Sequence, residues 1–285
     1  MNIGFIGAGR VGCTLGKYLS DAGIKIVGYY SRTLESADTA ATFTKSYAFK
    51  DIKALADASD ILFITTPDGV IEDIWKSVRN FDLDGKFICH FSGSLSSDIF
   101  SGIGAVGAYA ASIHPMYAFS GKFTSYLKFH TACITLEGDE KAVEKMKGLF
   151  GDRLHHRIFT VATSDKIKYH AAAAFASNYV VGLIDIAVKL LGECGFGDAD
   201  ARSLIAPMAF DNMTAVMEKG TILSLTGPVE RNDMETVQKH IDALADDKTI
   251  LNVYKSLGRV LAGIAEEKNP ERDYTNMKQL LKKQQ

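Results

Sequence analysis

No segment of this chain is strongly basic, and no run of like charge occurs. The 32 lysines and arginines face 34 aspartates and glutamates, for a net charge of −2 over 285 residues. A field that would draw in nucleic acid or an anionic membrane is therefore not expected. Cysteine is sparse: Cys13, Cys89, Cys133 and Cys194 form no CxxC pair, which argues against a zinc site and a disulfide framework. No other metal site is expected. The opening MNIGFIGAG lacks the basic and long apolar regions of a signal peptide. A long uninterrupted apolar run is also missing. The nearest approach, Tyr169–Val188, is broken by His170, Ser177, Asn178 and Asp185, and reads as a buried helix rather than a membrane span. The cytoplasm is the expected location.

What is present is the balance of a folded protein, 47% hydrophobic and 23% charged. The length suits two unequal domains. In the first half, short apolar runs at 2–7, 25–30, 60–65, 86–91 and 106–113 read as strands. They alternate with helical patterns at 10–22, 34–44 and 70–79. Further strands are expected at 131–136 and 157–161, around a helix at 140–150. Strand and helix in alternation predict an α/β fold with a doubly wound, mostly parallel Rossmann sheet. Beyond Thr163 only helical patterns remain, at about 165–194, 198–219, 233–246, 248–267 and 274–283. Breaks fall at Gly195–Gly197, Gly227–Pro228 and Asn269–Pro270, and Asn232 with Glu235 suits a capping box. The expected domains are 1–163, nucleotide-binding, and 164–285, all-helical.

Gly7-Ala8-Gly9-Arg10-Val11-Gly12 matches GxGxxG, after an apolar strand and at the opening of a helix. In that context Gly7 serves the tight turn, Gly9 the approach of pyrophosphate, and Gly12 close helix–sheet packing. The helix N-terminus offers free N–H groups to the phosphates. About 20 positions on, NAD-binding chains carry an acidic residue for the ribose hydroxyls. Arg32 stands there instead, between Ser31 and Thr33. A guanidinium with two hydroxyls suits a 2′-phosphate, so NADP is the expected cofactor, with Arg10 helping to bind phosphate. Thr65-Thr66-Pro67-Asp68 ends a strand near the switch point, and Thr65, Thr66 and Pro67 are candidates to line the ribose and nicotinamide.

Two later strand ends carry candidate chemistry: His90-Phe91-Ser92-Gly93-Ser94 and Ser112-Ile113-His114-Pro115-Met116. Hydride transfer at a C–O or C–N centre needs a proton donor or acceptor beside it, and His titrates near neutrality. His114 is the first candidate, with Ser92 or Ser94 as hydrogen-bonding partners; a buried histidine satisfied by carbonyls is the plainer alternative. At about 100° per residue, Lys166, His170, Ser177, Asn178 and Asp185 form one polar stripe on the helix from 165. His170 and Asn178 are the second source of candidates, against a role in binding neighbouring helices. Arg231, in Thr226–Asp233, either binds an anionic substrate from a partner subunit or belongs to a structural turn.

The segments GAGRVG, SRT, TTPD, HFSGSLSSD, SIHPMYAF, YHAAAAFASNY and LTGPVERND resemble, over nearly the whole chain, one particular family. Its members join a Rossmann-like NADP domain to a helical C-terminal domain of unknown function, and carry the label of NADP-dependent oxidoreductases. The arrangement is similar to that of pyrroline-5-carboxylate reductase and 6-phosphogluconate dehydrogenase. The resemblance implies a homodimer built by the helical domain, and names no substrate. A fainter likeness to prephenate dehydrogenase rests on His114-Pro115-Met116 and Ser94, but Ala118 stands where that family has glycine. The lysine-x-x-asparagine signature of hydroxyacid dehydrogenases is missing, since Phe175 precedes Asn178 by three positions. The sequence therefore predicts an NADP-dependent oxidoreductase acting on a small polar molecule between the domains. The rival is a non-catalytic NADP(H)-binding sensor or scaffold on the same fold.

Overall fold

A computed structural model describes residues 1–282. The last residue of the helix expected at 274–283, Lys283, lies outside them. Among the described residues eight strands form one sheet: β1 (Asn2–Ile6), β2 (Lys25–Tyr30), β3 (Tyr47–Ala48), β4 (Ile61–Ile64), β5 (Phe87–His90), β6 (Tyr109–Met116), β7 (Cys133–Gly138) and β8 (Ile158–Thr160). Their spatial order is β3-β2-β1-β4-β5-β6-β7-β8. The first six are parallel, β7 runs antiparallel to β6, and β8 is parallel to β7. This is the doubly wound Rossmann order, whose switch point lies between β1 and β4.

Apolar alternation explains why both faces of the sheet are covered. Ile3, Phe5, Phe63, Cys89 and Ile113 pack on one side, beneath α1 (Arg10–Asp21), α2 (Leu34–Thr44) and the later α5 (Glu140–Met146). Ile6, Leu62, Ile64 and Ile88 face the other side, beneath α3 (Ile52–Asp57) and α4 (Asp68–Val78) with Trp75. The near-continuous hydrophobic strands of the sequence are thus buried twice over.

Several boundaries differ from the sequence expectation. Val106 belongs to a 3-10 turn, Ile103–Val106, between Gly102 and Gly107 at positive φ, so β6 starts at Tyr109 and carries His114 and Pro115 within the strand. The short β3 and α3 were not foreseen. Two and six residues are too few to show a period. The helix after β7 widens into a π-helical stretch, Lys147–Arg153.

The continuous helix expected over 165–194 is instead two, α6 (Lys166–Ala176) and α7 (Asn178–Glu193). Ser177 leaves helical geometry at φ −128°, ψ −74°. Its hydroxyl donates to Ala173 O and Asn178 Oδ1, a local bond that competes with the helix ladder. The single polar stripe therefore does not extend past Ser177, and Asn178 no longer shares a helix with His170. The expected burial of Tyr169–Val188 is also corrected: no residue in it is buried. By length and composition alone, Thr163–Glu193 could cross a membrane.

Two compact units result, Met1–Tyr179 and Val180–Gln285. The sheet-bearing unit reaches through α6, past the boundary expected at 163. The second unit, beginning inside α7, is helical: α8 (Asp198–Ser224), α9 (Met234–Ala243), α10 (Lys248–Lys268) and α11 (Thr275–Leu280). Gly220, at φ 80°, kinks α8 where the sequence placed its end. The core of this unit joins Val237 and Ile241 of α9, Leu251, Ala262 and Ala265 of α10, and Met277 of α11, with Tyr274. Asp233 rather than Asn232 caps α9, accepting from Thr236 N at 3.0 Å, because Asn232 is left-handed at φ 59°.

Candidate active site

The glycine turn closes as its residue types require. Gly7 sits at φ 111°, and its N–H donates to Tyr30 O at 2.8 Å. A methyl group on Gly12 would come within 2.5 Å of Gly7 O, whereas one on Gly9 would meet nothing within 4 Å. Gly7 and Gly12 thus serve closure, while Gly9 leaves an open approach. α1 starts with no side-chain cap and no acidic residue in its first turn. Its first N–H groups therefore have no intrahelical partner and no competing carboxylate, which fits a phosphate.

Beside this turn lies a cleft of ≈ 520 Å³ lined by Gly7, Ala8, Gly9, Tyr30, Ser31, Arg32, Thr33, Ser36, Thr65, Thr66, Pro67, Val70 and Ile74, among others. Arg32 is exposed at its rim. Thr33 caps α2 by accepting from Ser36 N, so a second helix N-terminus adjoins the guanidinium. Thr65 is buried, and its hydroxyl donates to Gly7 O at 2.9 Å, bracing the turn. Thr66 Oγ1 is buried without a hydrogen-bond partner, a polar atom left for a ligand. Arg10 is exposed at the first position of α1, outside the lining residues, and Val11 packs against the core. Sequence reasoning missed Ser36, Val70 and Ile74, which stand on helices and carry no motif.

The parallel strands β1, β4, β5 and β6 end on one edge of the sheet, which places the second cluster on the same edge as the glycine turn. His114 and His170 come together there. Their ring centroids are 5.9 Å apart, edge to face. Both point at Gly93: a methyl group on it would lie 2.4 Å from His170 Nδ1 and 2.7 Å from His114 Nε2. His114 Nδ1 is 2.7 Å from Tyr169 OH, and that hydroxyl donates to Thr135 Oγ1 at 3.0 Å. With its one proton committed, Tyr169 accepts from His114, which assigns the hydrogen to Nδ1 and leaves Nε2 bare. Burial foremost, then the charges of Lys166 and His170, push the His114 pKa down to about 4, so the ring is neutral near pH 7.

Ser92 and Ser94 do not bond His114. Both hydroxyls donate to Asp68 Oδ2, at 2.7 and 3.0 Å, and Ser92 Oγ also accepts from Ser94 N and Leu95 N. The tight 92–95 turn aims them at the start of α4 rather than at β6. His90, buried beneath, places Nε2 against Ser96 O and accepts from Ser92 N, which makes it a brace for this loop. Asn178 is exposed and bonded to Ser177. Arg231 is exposed in a wound turn held by Arg231 N to Gly227 O and Asp233 N to Pro228 O.

Residues 1–115 match the family described as a Rossmann-like domain, and residues 132–261 match a domain of unknown function, DUF2520. The chain joins a Rossmann-like domain to a DUF2520 domain. That pairing agrees with the resemblance carried by its motifs. The DUF2520 match begins before β7 and takes in α6, so the sheet's last strands and the helix of His170 belong to it, while His114 falls inside the Rossmann-like match, one residue before its end. No curated protein matches the sequence.

Among solved structures, one from Bacteroides fragilis, provisionally named an NADP oxidoreductase, has a TM-score of 0.75 at 22% identity, covering 92% of this chain and 98% of its own. A protein from Thermotoga maritima has a TM-score of 0.74 at 23% identity, covering 95% and 100%. A reductive aminase from Aspergillus terreus, in complex with NADPH and ethyl-5-oxohexanoate, has a TM-score of 0.65 at 14% identity, covering 95% and 94%. At these identities the likeness is one of fold.

Proposed function

We propose that this protein is an NADP(H)-dependent oxidoreductase that transfers a hydride to or from a small polar substrate. The observation that carries the reading is the meeting of His114 Nε2 and His170 Nδ1 at Gly93, on the sheet edge that also holds the glycine turn. The names of the fold relatives, an NADP oxidoreductase and an NADPH-bound reductive aminase, support it. The first-turn N–H groups of α1 would hold the pyrophosphate, and Ser31, Arg32, Thr33 and Ser36 the 2′-phosphate. Thr65, Thr66 and Pro67 stand between that end and the histidines. The cofactor, when bound, supplies or accepts the hydride. When the substrate is oxidised and gives up its hydride, His114, neutral with Nε2 bare, accepts the proton of the substrate's hydroxyl or amine. Ser92 and Ser94 hold Asp68 instead of touching the reacting centre.

A second copy of the chain is the partner this reading assigns to the helical unit. Met208, Phe210, Met217 and Leu223 are all exposed, and α8 buries only Ala201. A helix apolar on several sides is a helix meant to be enclosed.

The test is a titration of purified protein with NADPH and NADH. NADPH is expected to bind more tightly, and Arg32→Ala to weaken NADPH by about 10- to 100-fold, the worth of one charge-assisted bond pair, while changing NADH little. Tighter binding of NADH would remove the role given to Arg32. A folded protein that ignores both at millimolar concentration would end the oxidoreductase reading.

A further inference from the structure

Lys166 is buried, carries no part of the proposed chemistry, and begins the helix that carries His170. In the antiparallel pairing of β6 with β7, Ser112 stands opposite Glu137 and His114 opposite Thr135. These are alternate positions, so the four side chains share one face. Lys166 and Tyr169, three residues apart on one side of α6, each serve one of the two rungs. Tyr169 joins His114 to Thr135. Lys166 Nζ donates to Ser112 Oγ at 2.7 Å and to Ser92 O at 3.1 Å. Glu137, also buried, accepts from Ser97 N and Ser97 Oγ, both at 2.8 Å, and from Thr163 Oγ1 at 2.9 Å.

We propose that Lys166 is a positioning residue for the His114–His170 pair. Through Ser92 it holds the loop that carries Gly93, and through Ser112 the strand that carries His114. One turn further along α6 it sets Tyr169 and His170 against them. A neutral side chain of similar length would leave Ser92 O and the Ser112 hydroxyl without this donor, and Glu137 without its counter-charge. The ammonium has a second effect. His114 is faced by Lys166, Tyr169 and His170 from α6, by Thr135 from β7 and by Asp68 from α4; Lys166 and His170 oppose its protonation, and Asp68 favours it. The lysine thereby helps keep the ring neutral and its bond to Tyr169 in one tautomer.

This inference rests on the proposed role of the two histidines, yet its test does not need a substrate. Ring-nitrogen NMR of His114 across pH reads both its midpoint and its tautomer. The parent is expected to show hydrogen on Nδ1 and to stay neutral until about pH 4. Lys166→Met should raise the midpoint and release the Nδ1–H signature. Because that variant removes the cation that attracts Glu137, Lys166→Met/Glu137→Gln is the second protein: the amide oxygen still accepts from Ser97 and Thr163 and no buried charge is left, so its Tm should return toward the parent's, while the His114 midpoint stays raised. An unchanged His114 spectrum in either folded variant overturns the proposal, and so does a double variant that recovers no stability. NADPH affinity in the same samples should not move, since Lys166 does not line the cofactor cleft. Loss of NADPH binding by the parent would instead count against the proposed function and leave the His114 result readable.

Discussion

Glycine 93 is the residue on which the site turns. The space between the two imidazoles exists because no side chain fills it, and any Cβ would lie inside contact distance of both ring nitrogens. Gly93→Ala is therefore expected to push His170 and His114 apart while leaving NADPH affinity nearly intact. The ring-nitrogen spectra of both histidines should shift, and an unchanged pair of spectra would show that the rings do not converge there. His114 and His170 were legible as candidates from their positions near a strand end and on an apolar helix. Lys166 was visible only as a member of the same stripe as His170, four residues on. Nothing local announces that it is buried, because burial depends on Ser92, Ser112 and Glu137, up to 74 positions away.

Among the elements, β2 and α2 match their sequence boundaries, 25–30 and 34–44, because each has a clear end signal. α2 begins at the Thr33 cap and ends at Lys45, which is left-handed at φ 55°, ψ 46°. A side chain in that conformation costs about 1 kcal/mol that glycine does not pay. Lys45→Gly, offset partly by the freer unfolded chain, should therefore leave stability equal or higher by up to about 1 kcal/mol. A clear fall in Tm would contradict the left-handed cap. Elsewhere the period misled: the apolar pattern ran straight across Ser177, since a helix break made by one hydroxyl leaves the pattern of neighbouring residues untouched.

For the whole molecule, buried imidazoles set the acid limit. Burial pushes His90 and His114 down to about 4, and lowers His156 among Tyr18, Phe129 and Phe150. The unfolded chain takes up these protons near pH 6.5, before the folded one does. The stability these histidines contribute is thus complete above pH 6.5 and is lost as pH falls from 6.5 toward 4, by about 3 kcal/mol for His90 alone. Denaturant midpoints measured across that window should decline with falling pH; a flat profile would contradict the burial. The helical unit makes a separate prediction. Light scattering should give twice the chain mass, and Phe210→Glu with Met217→Glu should yield monomers. A parent that stays monomeric at tens of micromolar, or that partitions into lipid vesicles, would reject the second copy as the occupant of α8.

By itself the sequence determined the alternating strands and helices, the phosphate turn and the helical second half, because these follow from short-range periods and from glycine's backbone freedom. Tertiary structure alone decided which polar groups meet: Asp68 takes Ser92 and Ser94, Tyr169 takes His114, and Lys166 reaches the far side of the loop. Such pairings depend on register and on how α6 seats against β6 and β7, and a pattern along the chain carries no record of distance across it.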